Sequence, residues 1–373
     1  MTPDVLIIGG GLHGLSAALN CARRGAKVSL VERHFVGRHA SGSTAAGVRT
    51  LGRDIAELPL SLEAAALWHE METLVGDDCG FTGCGQLQLA EDEASLASVK
   101  ARVSRLRDMG HTHEEVIGRD ALRELLPAVS HHCLGGAWVP TDGSADPHRT
   151  IGAFRSAAES AGVIIYEQCE VTALQRGSGT WRAETSKGIF ETKTLVNAAG
   201  AWAERICELA GDPVRHAIRT SMMVVTERTS THIGPVVSSL GRKLSFKQTG
   251  EGTLLIGGGS QGKLSADRQS ASVDVVALAA SVKAALRLFP ATQGLRIVRA
   301  WAGMEAMTSD HLPVIGFSGR VEGLIHAFGF SGHGFQLVPS VGRVLADLVC
   351  EGKTTKDLGA FEPLRTATRG VAA

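Results

Sequence analysis

The sequence predicts an α/β fold in which a buried parallel sheet is followed by a region rich in antiparallel strands. Three observations predict it. Residues 4–32 read as strand, glycine-rich turn, helix and strand, the order of a βαβ unit. Buried strands run into turns of small residues again at 194–202 and 324–336. Three short strand-type segments follow one another between residues 218 and 258 without a helix between them, as antiparallel strands do.

The composition is that of an ordinary globular protein. The chain has 373 residues, of which 44% are hydrophobic and 20% charged, and a chain this long holds about two domains. Lys and Arg total 38, equal to the 38 Asp and Glu. Zero net charge without a basic block argues against a nucleic-acid-binding protein or a polybasic membrane protein.

The location is expected to be cytoplasmic. No positively charged segment precedes the first apolar run, so we expect no signal peptide. No uncharged stretch reaches the roughly 18 residues that a membrane span needs. The seven cysteines are scattered and odd in number, and we interpret them as reduced thiols.

The first βαβ unit has the pattern of a dinucleotide site. Residues 5–8 are a continuous apolar strand, and residues 9–14 give the spacing G-x-G-x-x-G. Residues 15–24 have the apolar periodicity of a helix, and 27–31 form a second strand that ends at Glu32. All the parts occur at the expected spacing, which makes this the most specific motif of the chain.

Each glycine and the acid of that pattern have a chemical reason. Gly9 permits the tight turn, Gly11 lets the backbone approach a pyrophosphate, and Gly14 lets the helix pack on the strand. The helix N-terminus favours phosphate. The Glu32 carboxylate is placed to accept hydrogen bonds from both ribose hydroxyls.

A second glycine pattern is interpreted as a turn. Residues 257–262 also fit G-x-G-x-x-G, but residues 263–268 have no apolar helical face, and Ala280 stands where an acid is required. We therefore expect one dinucleotide site. This argues against enzymes that bind a flavin and a nicotinamide through two paired domains.

No metal site is expected. Cys79 and Cys84 match no common zinc spacing, and the acidic and histidine-containing segment 111–115 is interpreted as a solvated loop. Two other segments are candidates for cofactor contact. Residues 41–49 are small and glycine-rich, and residues 329–336 precede a helix from about Val338, whose N-terminus could stabilise negative charge on a cofactor ring.

These motifs together resemble the FAD-dependent amine and D-amino-acid oxidoreductases, which include sarcosine oxidase and its β-subunit, glycine oxidase and D-hydroxyproline dehydrogenase. The resemblance covers essentially the whole chain. It is specific for the family but not for a substrate. The stretches that carry it are 9–32, 41–49, 142–147, 196–202, 301–316 and 329–335.

The resemblance implies a Rossmann-type FAD-binding domain and a substrate domain built on a large antiparallel sheet. The FAD-binding domain would be discontinuous, formed by residues 1–80, 145–215 and 313–373. The substrate domain would comprise residues 81–144 and 216–312.

By the same resemblance FAD lies extended, with its ADP end at Gly9–Glu32 and its ring between the two glycine-rich segments. The residues implied to bind it are Gly9, Gly11, Leu12, His13, Gly14, Glu32, Arg33, Ser41, Ser43, Thr44, Ala46, Gly47, Val48, Val171, Ala199, Gly200, Trp202, Gly303, Gly329, Gly332, His333, Gly334, Phe335 and Gln336.

The chain departs from the family pattern at three points. Some sarcosine oxidases attach flavin through a cysteine after Trp-Ala-Gly, but residues 304–310 have none, so we expect non-covalent FAD. Glycine-oxidase-like members hold the substrate carboxylate with an arginine where this chain has Glu305. Oxidases place a lysine over the flavin, whereas 254–256 is Leu-Leu-Ile, which favours a dehydrogenase.

The candidate catalytic residues follow from these departures. Glu305 could hold a substrate ammonium or be merely structural, and Arg49 is the best carboxylate anchor, with Arg299 a weaker one. His333 and His13 could lie near the ring or be ordinary loop residues. A hydride mechanism needs only a deprotonated amine and no strong protein base.

We therefore expect a dehydrogenase of secondary-amine amino acids, with cis-4-hydroxy-D-proline or D-proline preferred. The alternatives are a sarcosine or glycine oxidase, a D-opine dehydrogenase, and an FAD-binding subunit that is inactive without partner subunits. A flavin monooxygenase shares the N-terminal motif. The expected partners are a small amino acid and an electron acceptor or partner subunit, with no nucleic acid and no membrane span.

Overall fold

The structure is a computed structural model, and it describes residues 1–366. Nine helices occur in this part of the chain: α1 Leu12–Arg23, α2 Leu58–Trp68, α3 Met71–Val75, α4 Glu93–Asp108, α5 Arg119–Leu125, α6 Pro147–Ser160, α7 Ala203–Ala210, α8 Val275–Leu288 and α9 Gly334–Glu351. The strands of the same range are β1 Val5–Ile8, β2 Val28–Val31, β3 Gly47–Val48, β4 Gln86–Ala90, β5 Glu115–Gly118, β6 Gly135–Val139, β7 Gly143–Ser144, β8 Ile164–Tyr166, β9 Val171–Gly177, β10 Thr180–Thr185, β11 Gly188–Thr192, β12 Thr194–Asn197, β13 Ala217–Arg228, β14 Val236–Ser239, β15 Ser245–Gln248, β16 Thr253–Gly257, β17 Lys263–Leu264, β18 Ala271–Ser272, β19 Ile297–Met307, β20 Val314–Phe317 and β21 Leu324–Phe328.

A six-stranded sheet carries the first βαβ unit. Its order is β20-β21-β12-β1-β2-β8, and every neighbouring pair is parallel except the edge pair β20–β21. The four residues of β1 are all buried, which explains their continuous apolar sequence. The predicted α/β class is therefore confirmed.

Helices from distant parts of the chain cover one face of this sheet. The first helix, α1, packs against the last one, α9, and also against α6. The two helices approach so closely that a Cβ at Gly342 would lie 2.0 Å from the Ser16 Oγ. The same hydroxyl donates a hydrogen bond of 2.9 Å to the carbonyl of Val338. The start and the end of the described chain thus share one core.

The second large sheet has eight strands in the order β19-β13-β16-β15-β14-β4-β6-β5. All its pairs are antiparallel except β14–β4. The long helix α8 packs on its outer side, where Phe246 and Phe289 stack with ring centroids 4.7 Å apart. The other side of the sheet is the one that contributes to the cavity described below.

The predicted elements occur, with shifted ends. The helix predicted from Val338 begins at Gly334, so that Gln336 lies in its first turn rather than in a loop. Helices α2 and α3 follow each other closely and are separated at His69 and Glu70. Residues 257–262 form a strand end and a turn, as expected.

The strands of the six-stranded sheet fall within residues 1–80, 145–215 and 313–373, and those of the eight-stranded sheet within 81–144 and 216–312. Residues 367–373 of the predicted cofactor domain lie outside the described part. The domain boundaries themselves stay a prediction. Among the described residues, none of the helices combines the length and apolar character that crossing a bilayer requires.

Candidate active site

The glycine-rich turn after β1 has no room for side chains at two positions. Gly9 has φ +114°, and a Cβ there would lie 2.4 Å from the carbonyl oxygen of Ala198. A Cβ at Gly14 would lie 2.0 Å from the carbonyl oxygen of Gly9. The predicted packing role of Gly14 is thus confirmed. The first N–H group of α1, that of Leu12, donates 3.0 Å to the Oγ of Ser41.

The acid at the end of β2 is held rigidly. Glu32 is buried, and its two carboxylate oxygens accept 2.8 Å hydrogen bonds from the N–H groups of Gly10 and His34. Each oxygen keeps a second lone pair, so the carboxylate can still accept hydroxyl hydrogen bonds from a ribose. Nearby, the guanidinium of Arg33 lies 4.4 Å from the centre of the Trp202 ring.

Glu32, His34 and His39 bring metal-type donor atoms within 4.8 Å of one another. The two histidine nitrogens among these atoms are already engaged with each other. The His34 Nδ1 and the His39 Nε2 are 2.8 Å apart and hydrogen-bonded, and Glu32 accepts the two backbone N–H groups. We therefore assign no metal to this group.

A cavity of about 590 Å³ runs from this turn to the eight-stranded sheet. Most of the predicted cofactor residues line it: Gly9, Gly11, Leu12, His13, Glu32, Arg33, Ser41, Ser43, Thr44, Gly47, Val171, Ala199, Gly200, Trp202, Gly303, Gly329, Gly332, His333, Gly334 and Phe335. The predicted catalytic residues Arg49 and Glu305 line it too. Residues separated by more than 300 positions in the chain therefore share one cavity.

Four predicted cofactor residues do not line the cavity. Gly14 packs on Gly9, and Ala46 and Val48 are buried beside the β3–β7 pair. Gln336 is fully buried, and its amide donates 2.6 Å to the carbonyl of Ser61. The prediction that these four residues contact the cofactor is therefore corrected, because none of them lines the cavity and their positions serve packing.

The turn that carries Arg49 is fixed by two buried carboxylates. Asp142 accepts hydrogen bonds of 2.9 Å from the N–H groups of Thr50 and Leu51. Glu114 accepts 2.8 Å from the N–H of Gly52 and binds Arg102 at 2.7 Å. The expectation of a solvated loop at 111–115 is wrong for Glu114, because this fully buried carboxylate organises the wall of the cavity.

Arg53 is a site residue that the sequence did not reveal. It is 2% exposed, and its Nε and Nη2 donate to the carbonyls of Arg49 (2.8 Å) and His333 (3.1 Å). The remaining nitrogen, Nη1, is buried without a partner. Burial lowers the pKa of Arg53 to about 9 and also lowers the pKa of Arg49. Only the spacing of four residues between the two arginines could have drawn attention to Arg53.

Neither arginine forms an ion pair with a carboxylate in the described part of the chain. Arg49 instead donates 3.1 Å to the carbonyl of Leu51. The buried carboxylates of Asp142 and Glu57 partly offset the burial that lowers the pKa of both arginines, but neither lies within ion-pair distance, so an anionic ligand can still supply a direct counter-charge. The pair Arg49 and Arg53 is therefore suited to bind a carboxylate.

Glu305 lies on β19 directly opposite Arg219 of β13. The hydroxyl of Ser221 donates a short hydrogen bond to Glu305 Oε1. The other oxygen lies near the backbone of Gly332, where a Cβ would be 3.4 Å away. Burial raises the pKa of Glu305 above that of an ordinary glutamate. The carboxyl group is thus positioned to accept a hydrogen bond from an ammonium or amine.

His333 directly precedes helix α9 at the cavity wall. Its Nε2 lies 3.2 Å from the carbonyl of His311, which can only accept, so Nε2 carries a proton. Its Nδ1 lies 3.2 Å from a carboxylate oxygen of the buried Glu57. Burial lowers the pKa of His333, and Arg53 contributes in the same direction.

His13 is stacked on Phe330, with ring centroids 3.6 Å apart. Both ring nitrogens are buried without a hydrogen-bond partner. Burial lowers the pKa of His13 to about 3, so the ring is neutral at ordinary pH. A neutral ring with two unused nitrogens at the cavity wall can bind a polar ligand atom.

A lysine occurs next to the leucines at 254–256. Lys247 of β15 is the cross-strand partner of Leu255, and its Nζ donates 3.3 Å to the carbonyl of Ala145. Burial lowers its pKa to about 8. Lys247 does not line the cavity, so it is not in the position of a group that contacts a ligand there.

Among curated proteins, the chain is 28% identical to the glycine oxidase of Geobacillus kaustophilus over 97% of both chains. It is 28% identical to the bifunctional protein ThiO/ThiG of Synechocystis and 26% to human mitochondrial dimethylglycine dehydrogenase, each over at least 97% of this chain. It spans 54% and 44% of those two proteins, or about half their length.

Solved structures also resemble this chain over nearly its whole length. The L-proline dehydrogenase of P. horikoshii superposes with a TM-score of 0.90 at 28% identity, covering 98% of this chain and 97% of the other. The glycine oxidase of Geobacillus kaustophilus superposes with a TM-score of 0.88 at 25% identity over the whole of both chains. The model of the FAD dependent oxidoreductase (DAO) family matches residues 4–348. With the glycine turn, Glu32 and the shared cavity in place, the chain belongs to the FAD dependent oxidoreductase family.

Proposed function

We propose that this protein is a dehydrogenase that oxidises a secondary-amine amino acid to the imine, with cis-4-hydroxy-D-proline or D-proline preferred. The observation that carries the proposal is the pair of guanidinium groups, Arg49 and Arg53, without a carboxylate partner at the cavity wall. The likeness to an L-proline dehydrogenase structure supports a cyclic secondary amine.

The cavity fits FAD. Gly9 and Gly14 permit the close-packed turn that brings the backbone to the cavity, Glu32 presents a fixed carboxylate, and both nitrogens of His13 lack partners. These residues, with Ser43 and the 329–335 segment, would hold it. When bound, FAD supplies a ring that accepts the hydride. Because residues 304–310 contain no cysteine, we propose that it is held non-covalently.

The protein residues bind and orient the substrate. Arg49 and Arg53 bind its carboxylate, and Glu305 accepts a hydrogen bond from its nitrogen, with Ser221 holding the carboxyl group in place. The substrate loses a hydride from the carbon next to nitrogen and a proton from nitrogen, and the C–N bond becomes C=N. The two electrons pass on to an acceptor.

The electron acceptor is proposed to be something other than oxygen, because no lysine lines the described cavity. Sarcosine or glycine oxidation and D-opine oxidation are the alternatives. A further alternative is an FAD-binding subunit that is inactive alone. Two relatives that are 26% identical to this chain are named as subunits, which favours this alternative. They are the sarcosine oxidase subunit beta of Rhizobium meliloti and the hydrogen cyanide synthase subunit HcnC of Pseudomonas aeruginosa. Cytoplasmic localisation stays a prediction from the scattered cysteines.

The test is anaerobic bleaching of the bound flavin by a panel of D- and L-amino acids that includes proline, 4-hydroxyproline, sarcosine, glycine and opines. We expect the D-proline compounds to bleach fastest, and turnover to proceed with a dye but not with oxygen alone. If only glycine or sarcosine bleaches the flavin, that compound rather than a D-proline compound is the substrate. No bleaching by any amine would overturn the proposal, and size-exclusion mass with added partner subunits would then test the subunit alternative.

A further inference from the structure

A third arginine without a carboxylate partner lines the same cavity. Arg219 of β13 faces the interior beside Ser221, and it forms no ion pair within 4 Å among the residues that the structure describes. Its cross-strand partner Glu305 accepts a hydrogen bond from Ser221, and the charge of Arg219 partly offsets the burial that raises the pKa of Glu305, but the two side chains form no ion pair. The guanidinium of Arg219 is therefore free to bind an anion.

A second cation stands beside Arg219 at the turn after β16. Gly258 and Gly259 have φ values of +111° and +103°, and both line the cavity without side chains. From the Cβ position of Gly259, the Arg219 Nη2 is 3.7 Å away and the Cδ of the exposed Lys243 is 3.9 Å away. Two positive side chains thus border one open turn.

This positive region is separate from the Arg49 and Arg53 pair. The Cβ position of Gly52 is 3.5 Å from the Nη1 of Arg49 and 4.0 Å from the side chain of Gln88 in β4, which places Arg49 at that strand. Strands β13 and β4 are four positions apart in the sheet, or about 19 Å between strand axes at the usual spacing. Arg49 and Arg219 therefore enter the cavity from strands that are far apart in the sheet, and each can bind a different carboxylate.

We propose that Arg219 binds a second anionic group of the substrate, with Lys243 adding positive charge at the turn without lining the cavity. The substrates then include amino acids whose amine lies between two carboxylates, one bound by Arg49 and Arg53 and the other by Arg219. The inference rests on the proposed function, and it adds dicarboxylic secondary amines to the monocarboxylic D-proline compounds proposed there.

The test measures binding without turnover. Diglycolate and its longer ether dicarboxylate homologues, in which oxygen replaces the amine, are titrated into the FAD-loaded protein, with methoxyacetate as the monocarboxylate. The perturbation of flavin absorbance reports the Kd. We expect at least one dicarboxylate to bind about tenfold more tightly than methoxyacetate, the effect of one added charge-assisted contact.

Variants locate the effect. Arg219→Gln should remove most of the preference for the dicarboxylate and leave methoxyacetate binding unchanged. Arg219→Lys should restore part of it, and Lys243→Gln should reduce it a few-fold. Arg287→Gln and Lys283→Gln, on the exposed side of α8, are the matched controls and should change neither Kd. Flavin content and the melting temperature show that each variant folds.

Equal affinity for mono- and dicarboxylates in the native protein would overturn the inference. So would an equal loss of both in Arg219→Gln, because Arg219 would then bind the single α-carboxylate. Neither outcome affects the proposed function, which fails only if no amine bleaches the flavin. Conversely, absent bleaching with an intact dicarboxylate preference would reject the amine oxidation and retain the anion site.

Discussion

At the scale of single residues, the site is defined by charges that the fold orients but does not neutralise. Arg53 has two nitrogens held by backbone carbonyls and one, Nη1, left buried without a partner. Such a group lowers the stability of the folded protein, because its desolvation is not compensated. The compensation is expected to come from the substrate.

Replacing Arg53 tests this division between stability and binding. For Arg53→Met we expect KM to rise about 10- to 100-fold with a much smaller change in kcat, since a charge-assisted hydrogen bond to the substrate carboxylate is lost. The melting temperature should stay equal or rise. Steady-state kinetics and thermal unfolding check the two parts.

The control is Arg53→Lys, which keeps the charge and should show an intermediate KM. Arg53→Met with unchanged KM and a lower melting temperature would mean that Arg53 is a structural residue. In that case its contacts with Arg49 and His333, rather than the substrate, explain its burial.

At the scale of elements, the glycine turn makes the clearest demand on sequence. A methyl group at Gly14 would meet the carbonyl of Gly9 at 2.0 Å, so the start of α1 would have to move away from β1. We expect Gly14→Ala to weaken FAD binding by at least about tenfold, measured by flavin retained on dialysis.

Gly152→Ala is the matched control. Gly152 lies within α6, and no atom lies within 4 Å of its Cβ position. The change should keep FAD binding and stabilise the protein by about 0.5–1 kcal/mol, because alanine loses less entropy in a helix. Full FAD binding by Gly14→Ala would contradict the steric argument.

The strand β15 carries a charge at a stability cost. Burial lowers the pKa of Lys247 from 10.5 to about 8. Below pH 8 the lysine is charged in both the folded and the unfolded chain, and the folded state bears the full cost. Between pH 8 and 10.5 the unfolded chain binds more protons, so this cost decreases as pH rises.

Lys247→Met should therefore raise the free energy of unfolding at pH 7 by up to about 3 kcal/mol. The gain should shrink toward pH 10. Urea unfolding of the FAD-loaded protein at pH 7 and 9.5 measures both, with the exposed Lys283→Met as control. A gain that is larger at pH 9.5 than at pH 7 would contradict the assignment.

The elements differ in how far local sequence determines them. The strand 5–8 and the turn 9–14 were predictable, since apolar runs and glycine spacing are local signals. The start of α9 at Gly334 was not, because its first turn is stabilised by burial of Phe335 and Gln336 against other helices. Packing there overrides the low helix propensity of Gly334 and Pro339.

At the scale of the whole molecule, the cavity joins the two large sheets. The indole N–H of Trp301, in the eight-stranded sheet, donates 3.0 Å to the carbonyl of Ser43 in the segment after the nucleotide unit. A Cβ at Gly303 would lie 2.7 Å from the Ser43 side chain. A ligand that fills the cavity contacts both sheets and stabilises them together.

FAD is therefore expected to raise the melting temperature of the entire chain in one transition. At a concentration of 100 times its Kd it contributes about 2.7 kcal/mol. Two separate melting transitions would mean that the sheets unfold independently.

Acid precipitation should release all the flavin into the supernatant, as non-covalent binding requires. Flavin remaining with the precipitate would contradict non-covalent binding.

The family and the cofactor end could be predicted because their motifs are short and continuous. The substrate end could not, because it is formed by residues that meet only in three dimensions. Arg53, Arg219 and Glu305 come from separate elements, and no periodicity marks their approach. Sequence alone identified Arg49 and Glu305 as candidates, without the neighbours that determine what they bind.

The pairing of α1 with α9 has a consequence for biosynthesis. Gly342 leaves space for Ser16, and strands β20 and β21 complete the sheet that β1 begins. During translation, the amino-terminal nucleotide motif emerges from the ribosome more than 300 residues before the helix that covers it. The apolar face of α1 must therefore stay protected on the nascent chain until α9 has been synthesised. A chain that is released before α9 is complete has an unfinished hydrophobic core.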